Sequence, residues 1–470
     1  MTILRYCLLL PFFLASMSFA RADPAAPAEE TFSFAHFGDV HVYRNSAQPK
    51  HVVLFVSGDG GWNLGVIDMA RSLAGLDALV AGIDITAYLK NIQAVKAACC
   101  YPAADFEGLS QYLQKRYNYP DYVQPVLVGY SSGATLVYAT LAQVPPNTFR
   151  GGISLGFCPD LPLTRPLCRG NGLKFTPAAD GKGYDFLPDP SLTTPWVALQ
   201  GDIDQVCDAK ATATFVSQTG NARLVNLPGV GHGYSVQKNW LPQFHAAFTQ
   251  LVADARPPQT AKSADLEDLP LVEITVKQPG RTFAVIVSGD GGWASIDKSL
   301  ADSLASEGIP TVGLDSLHYF WTRRTEDEMG RDLTAIVQHY LAAWHKDRVL
   351  LIGYSRGADV LPFMASRLPS DLREHTALVA LLGAEHGIDF EFRVADWLPG
   401  SMQDAPHQVL PEVEKLSDYR VLCIYGEDEP APLCPDLDPG RFTVHKLAGG
   451  HHFGGDYAAL ADLILQTASP

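Results

Sequence analysis

The chain is 470 residues long, 47% hydrophobic and 18% charged, with a formal net charge of −16. That length suits two or three domains, and the composition excludes a disordered or fibrous chain. The acidic balance argues against nucleic acid as a partner, because like charges repel at long range.

Residues 1–22 read as a secretory signal peptide. Arg5 gives a short positive start, Cys7 to Phe19 is an apolar run, and Ala20-Arg21-Ala22 forms a small-x-small cleavage site. The run falls short of the roughly 20 apolar residues that a membrane anchor needs. A periplasmic location is therefore expected, and cleavage leaves 33 basic against 51 acidic residues, a net charge of −18. Seven cysteines follow: Cys99, Cys100, Cys158, Cys168, Cys207, Cys423 and Cys434. An oxidising compartment lets them pair, and the odd number leaves at least one over or pairs it between chains. Neither a CxxC motif nor a Cys/His spacing typical of zinc occurs, so no metal and no cofactor is expected.

The Ala/Pro-rich stretch Asp23 to Glu30 reads as a flexible start. Short apolar runs then predict strands at Val52–Ser57, Leu79–Ile83, Val126–Gly129, Gly152–Leu155, Trp196–Leu199 and Arg223–Leu227. Residues 256–270 hold three prolines among small polar and acidic residues and read as a linker. Beyond it, strands are predicted at Phe283–Ser288, Thr311–Leu314, Val349–Gly353, Ala377–Leu382, Val421–Tyr425 and Phe442–Leu447. Helical periodicity marks Ile296–Glu307 and Glu326–His345. Nearly continuous apolar strands imply burial on both faces, hence mostly parallel sheets flanked by helices.

Three segments occur twice in the same order. Ser57-Gly58-Asp59-Gly60-Gly61-Trp62 recurs at Ser288 to Trp293, Gly129-Tyr130-Ser131-Ser132-Gly133-Ala134 recurs at Gly353 to Ala358, and Leu227 to Tyr234 recurs at Leu447 to Gly454. Each unit is too long for a solenoid repeat. The reading is α/β, with two tandem α/β-hydrolase-like domains: a signal peptide at 1–22, an N-terminal domain at 23–255, a linker at 256–270 and a C-terminal domain at 271–470.

Gly353-Tyr354-Ser355-Arg356-Gly357 lies between a predicted strand and a helical run, the setting of a nucleophile elbow. The glycines are needed because so tight a turn has no room for neighbouring Cβ atoms. A serine nucleophile needs a base and an orienting acid, here in the chain order Ser, acid, His. Alignment on the repeated leucines matches His452 to His232 and selects His452 as base, with His451 as the alternative. The turn after Gly426 selects Glu429 by register with Asp204, whereas counting from the serine selects Asp428; both stay open. The Gly-rich loop lacks the Lys-Ser/Thr of a phosphate loop and fits an oxyanion hole, with Asp290, Gly291 and Arg356 supplying backbone N–H donors. Trp293 reads as packing. Ser131, Asp204 and His232 repeat the same order in the first half, as a candidate second site.

These segments, with His318-Tyr319-Phe320-Trp321, Arg324-Thr325 and Gly450-His451-His452-Phe453, resemble the AcvB/VirJ family of bacterial virulence proteins. The resemblance runs through nearly the whole mature chain and is stronger in the second half, to which the shorter relatives correspond. It implies a periplasmic hydrolase that cuts the aminoacyl ester of aminoacyl-phosphatidylglycerol, such as lysyl-phosphatidylglycerol, at Ser355. It also implies peripheral contact with a phospholipid membrane and a link to type IV secretion and virulence. With that substrate, Tyr319, Phe320 and Trp321 are candidates to shelter lipid. Arg323, Arg324 or Arg356 are candidates to meet phosphate, and Asp359 or the Glu326-Asp327-Glu328 run to meet the amine. The competing readings are a general periplasmic carboxylesterase or lipase, and a non-enzymatic adaptor for secretion.

Overall fold

The computed structural model describes residues 28–170, 172–253, 266–277, 280–394 and 405–469. The expected signal peptide and most of the expected linker lie outside them. In chain order the strands of the first half are β1 Ala28–Phe34, β2 Gly38–Arg44, β3 His51–Val56, β4 Ala78–Ile83, β5 Val126–Tyr130, β6 Gly151–Leu155, β7 Asp160–Leu161, β8 Phe175–Pro177, β9 Tyr184–Phe186, β10 Trp196–Gly201 and β11 Ala222–Leu227. Those of the second half are β12 Leu271–Ile274, β13 Thr282–Val287, β14 Thr311–Leu314, β15 Arg348–Tyr354, β16 Thr376–Leu382, β17 Gly387–Ile388, β18 His407–Gln408, β19 Val421–Gly426 and β20 Thr443–Leu447.

Each half carries one large sheet, ordered β1-β2-β4-β3-β5-β6-β10-β11 and β12-β14-β13-β15-β16-β19-β20. Pairing is parallel from β4 to β11 and from β14 to β20, and antiparallel only at the β1-β2-β4 and β12-β14 edges. The fold is α/β, as the apolar strands predict. Two features differ from expectation. The stretch expected to be a flexible start enters the sheet at Ala28, where β1 pairs with β2 along its whole length. The downstream end of the expected linker is packed, with Leu266 and Leu269 buried in the core.

Strand alternation sends neighbouring side chains to opposite faces of a sheet. Val52, Leu54 and Val56 of β3, with Phe283, Val285 and Val287 of β13, join one continuous core that runs through both halves. The intervening Val53 and Phe55 enter a core confined to the first half. Ala284 and Ile286 enter a core confined to the second. The shared core is sealed by the helix Pro102–Arg116 of the first half and the segment Ser316–Trp321 of the second. Three disulfides join Cys99 to Cys168, Cys158 to Cys207 and Cys423 to Cys434, leaving Cys100 as a buried thiol. Among the described residues, no helix is long and apolar enough to cross a membrane.

Candidate active sites

Ser355 stands between β15 and the helix Arg356–Ala365 with φ 52° and ψ −122°, and Ser131 stands between β5 and the helix Ser132–Gln143 with φ 55° and ψ −123°. Both lie in a backbone region that side chains other than glycine rarely occupy and that costs about 1–3 kcal/mol. The glycines around them explain how the turn is held. A Cβ at Gly353 would sit 2.3 Å from the Gly357 carbonyl oxygen, and one at Gly357 would sit 1.9 Å from that of Val287.

The Ser-Gly-Asp-Gly-Gly-Trp segments are built to lie beside these serines. Ser288 Oγ accepts the Ser316 N–H at 2.9 Å, and Ser57 Oγ accepts the Ile85 N–H at 3.1 Å, tying the loop to the next strand's exit. A Cβ at Gly289 would come within 3.2 Å of the Tyr354 ring and 3.5 Å of Ser355 Cβ, which places the loop against the elbow. Trp293 lies across Gly313, where a Cβ would be 2.1 Å from its ring, and Trp62 lies likewise on Gly82. The tryptophan is thus packing. Among the described residues, the N–H groups of Asp290 and Gly291 make no hydrogen bond, as free oxyanion donors require, and Arg356 opens the helix behind Ser355.

In the first half, Ser131 Oγ is 3.0 Å from His232 Nε2, and His232 Nδ1 is 2.9 Å from Asp204 Oδ2. Asp204 also accepts the N–H groups of Val206 and Cys207 and the Gln200 amide. Burial raises the pKa of its carboxyl, but these donors and His232 outweigh it and hold the group below its ordinary value. Asp204, Cys207 and His232 also cluster closely enough to suggest a metal. However, Cys207 is spent in its disulfide, and both imidazole nitrogens are already engaged.

In the second half the imidazole facing the acid is His451. Its Nδ1 makes a short hydrogen bond to Glu429 Oε1, while Glu429 Oε2 accepts the Gly426 N–H at 2.9 Å. Three further contacts give His451 the place that His232 holds. Tyr130 Oη donates to the His232 carbonyl, and Tyr354 Oη to that of His451. Ser131 N–H donates to Leu155 O and Ser355 N–H to Leu382 O. The next residues, Gly156 and Gly383, touch the His232 and His451 rings respectively. The expectation of His452 as base is therefore corrected. His452 Nδ1 meets Tyr354 Oη at 3.1 Å instead. The leucine register misled because five positions separate Leu227 from His232 and only four separate Leu447 from His451. Of the two candidate acids, Glu429 and not Asp428 reaches the ring. No hydrogen bond joins Ser355 Oγ to either imidazole among the described residues, unlike Ser131 Oγ, which meets His232 at 3.0 Å.

Burial works against the His451 cation, but the Glu429 hydrogen bond and charge, with Glu385 and Asp290 beyond, hold it above the ordinary imidazole value. Burial and the neighbouring His451 lower that of His452. Glu107 comes from the other half. A Cβ at Gly291 would meet its Oε1 at 3.5 Å, and burial, with the charge of Asp290, pushes its carboxyl up to about 8. Gln111, one helical turn on, lies 3.4 Å from the Asp290 carbonyl. The sequence carries no signal for Glu107, because nothing local reveals which helix of one half meets a loop of the other.

Most of the aromatic and charged candidates for substrate contact are engaged within the fold. Trp321 is buried between the halves, its Nε1 donating to Tyr119 O at 2.8 Å and Lys115 Nζ lying 4.5 Å over its ring. Tyr319 and Phe320 are fully buried, and Tyr319 Oη donates to Asp332. The Arg324 guanidinium stacks over Tyr319 at 4.6 Å. Arg356 Nη1 donates to Asp389 O, and its guanidinium lies over Phe392. Asp359 is buried and accepts the Glu385 N–H at 2.7 Å; burial raises its pKa far above the ordinary range. Glu328 completes a helix capping box with Thr325, while Glu326 and Asp327 pair with Arg367. Each of these side chains has a partner inside the fold.

The chain is 30% identical over 143 residues to "Carboxylesterase Culp1" of Mycobacterium tuberculosis, a match that covers 30% of this chain and 61% of that relative. Among solved structures, it is similar to Est1E from Butyrivibrio proteoclasticus, at 16% identity over 48% of this chain and 99% of that one, with a TM-score of 0.32. It is also similar to a dienelactone hydrolase from Anabaena variabilis, at 16% identity over 49% and 99%, with a TM-score of 0.35. The family model of the bacterial virulence protein VirJ matches residues 50–151 and 281–469, which take in both elbows and the second histidine loop, and the chain belongs to that family.

Proposed function

We propose that the protein is an exported, periplasmic serine hydrolase that removes the aminoacyl group from aminoacyl-phosphatidylglycerol, with Ser355 as nucleophile, His451 as base and Glu429 as its orienting acid. The observation that carries this reading is the concentration of carboxylates around an acyl-transfer centre: Glu429, Glu385 and Asp290 all act on His451. An aminoacyl ester presents a cationic amine next to its carbonyl, and such a ring attracts the amine. Three disulfides fit an oxidising compartment.

In this mechanism His451 takes the Ser355 proton as Oγ attacks the aminoacyl carbonyl. The N–H groups of Asp290, Gly291 and Arg356 hold the oxyanion. The ester C–O bond breaks, phosphatidylglycerol leaves with the proton from His451, and an aminoacyl-enzyme remains. Water, deprotonated by His451, attacks it and releases the free amino acid. The test is hydrolysis of purified lysyl- and alanyl-phosphatidylglycerol, alongside lipid extracts from cells with and without the protein. Ser355→Ala is expected to abolish release and let aminoacylated lipid accumulate. Wild-type release by a folded Ser355→Ala protein overturns the reading.

A further inference from the structure

The first half holds a serine, an imidazole and a carboxylate in continuous hydrogen-bond contact, 3.0 Å and 2.9 Å apart, on a backbone held in the same unfavourable turn as that of Ser355. Nothing in the mechanism at Ser355 uses these residues. Their support is built in detail. Asp204 receives four hydrogen bonds, from Val206, Cys207, Gln200 and His232, and the disulfide from Cys207 to Cys158 fastens the acid loop to the chain just past β6. Tyr130 Oη fixes the His232 backbone at 2.8 Å. The Ser57–Trp62 loop passes Ser131 as closely as its counterpart passes Ser355, and the N–H groups of Asp59 and Gly60 make no hydrogen bond among the described residues.

The rims differ. Ile203 and Val206, on either side of Asp204, are 59% and 66% exposed, and Val236, four residues past His232, is 47% exposed. These side chains put apolar surface on the loops that carry the acid and the imidazole. We infer that the first half is a second, independent acyl-transfer site, which hydrolyses carboxylic esters with an uncharged, apolar acyl group. Ser131 Oγ bonds to the acyl carbon as its proton passes to His232 Nε2. The ester C–O bond breaks, and the alcohol leaves with that proton. Water then attacks the acyl-enzyme, gives its proton to His232, and releases the carboxylic acid while Ser131 recovers its hydrogen.

The experiment uses the full chain treated with a fluorophosphonate and analysed by peptide mass spectrometry, so no variant is needed to see the site. Labelling of the Ser131 peptide is expected. In parallel, Ser355→Ala is expected to keep turning over 4-nitrophenyl butyrate. Ser131→Ala or His232→Ala added to it should lower that rate by more than about a hundredfold, as loss of a triad member does. An unlabelled Ser131, or a folded Ser355→Ala protein no faster than the double variant, overturns the inference. Failure of labelling at Ser355 alone instead bears on the aminoacyl-lipid reading.

Discussion

At the scale of the residue, the two histidines in sequence divide the work by one ångström-scale fact: which ring meets Glu429. His451→Ala is expected to remove Ser355-dependent turnover, whereas His452→Ala, which loses only a bond to Tyr354, should stay within about tenfold of the parent in kcat/KM. The base must be neutral to accept a proton. With the His451 value raised by Glu429, activity should rise with pH through a midpoint above the ordinary 6.5. Glu429→Gln removes the cause of the rise. The midpoint then moves to lower pH, and kcat falls by about 10³–10⁴, read from a pH–rate profile. Glu107 allows a separate test. Its carboxyl is neutral in both folded and unfolded chains below about 4.5. Between 4.5 and about 8 only the unfolded chain ionises freely, so stability from this group is lost across that window. Glu107→Gln should therefore raise the melting temperature more at pH 9 than at pH 4.

At the scale of the element, the strand–elbow–helix unit is set by close backbone approach. Gly357 lies against the Val287 carbonyl more tightly than any Cβ permits. Gly357→Ala must push β13 and the helix Arg356–Ala365 apart, at a cost of about 1–3 kcal/mol or more, with loss of turnover. Thermal unfolding and esterase assay on the same preparation check both. The repeated Ser-Gly-Asp-Gly-Gly-Trp loop works by the same principle. Its serine and tryptophan anchor the ends, and its glycines let unbonded N–H groups stand beside the elbow serine.

At the scale of the whole molecule, the halves are not beads on a string. Alternate residues of β3 and β13 meet in one core, and Trp321 is inserted against Tyr119, Tyr122 and Lys115. A shared core couples the unfolding of both halves, so calorimetry is expected to show one cooperative transition rather than two. Trp321→Ala should destabilise by about 3–5 kcal/mol, the range for emptying a buried aromatic site. Its effect on the Ser355 site would come through the helix Pro102–Arg116, which carries both Lys115 and Glu107.

The strands, both elbows and the doubled plan were legible in the sequence because they rest on local rules: apolar periodicity, and glycines where backbones touch. For the acid the sequence offered both Glu429, whose three-residue turn after Gly426 repeats that of Asp204, and Asp428; only the structure shows that Glu429 meets the His451 ring. Tertiary structure alone decided the rest. The choice of His451 over His452 turns on one residue fewer in a loop, which sequence register does not weigh against the direction of a side chain. The burial of Tyr319 and Trp321 and the arrival of Glu107 depend on the docking of two sheets across a common core. Contacts between residues so far apart along the chain are chosen by shape and burial in three dimensions, for which no local pattern stands in.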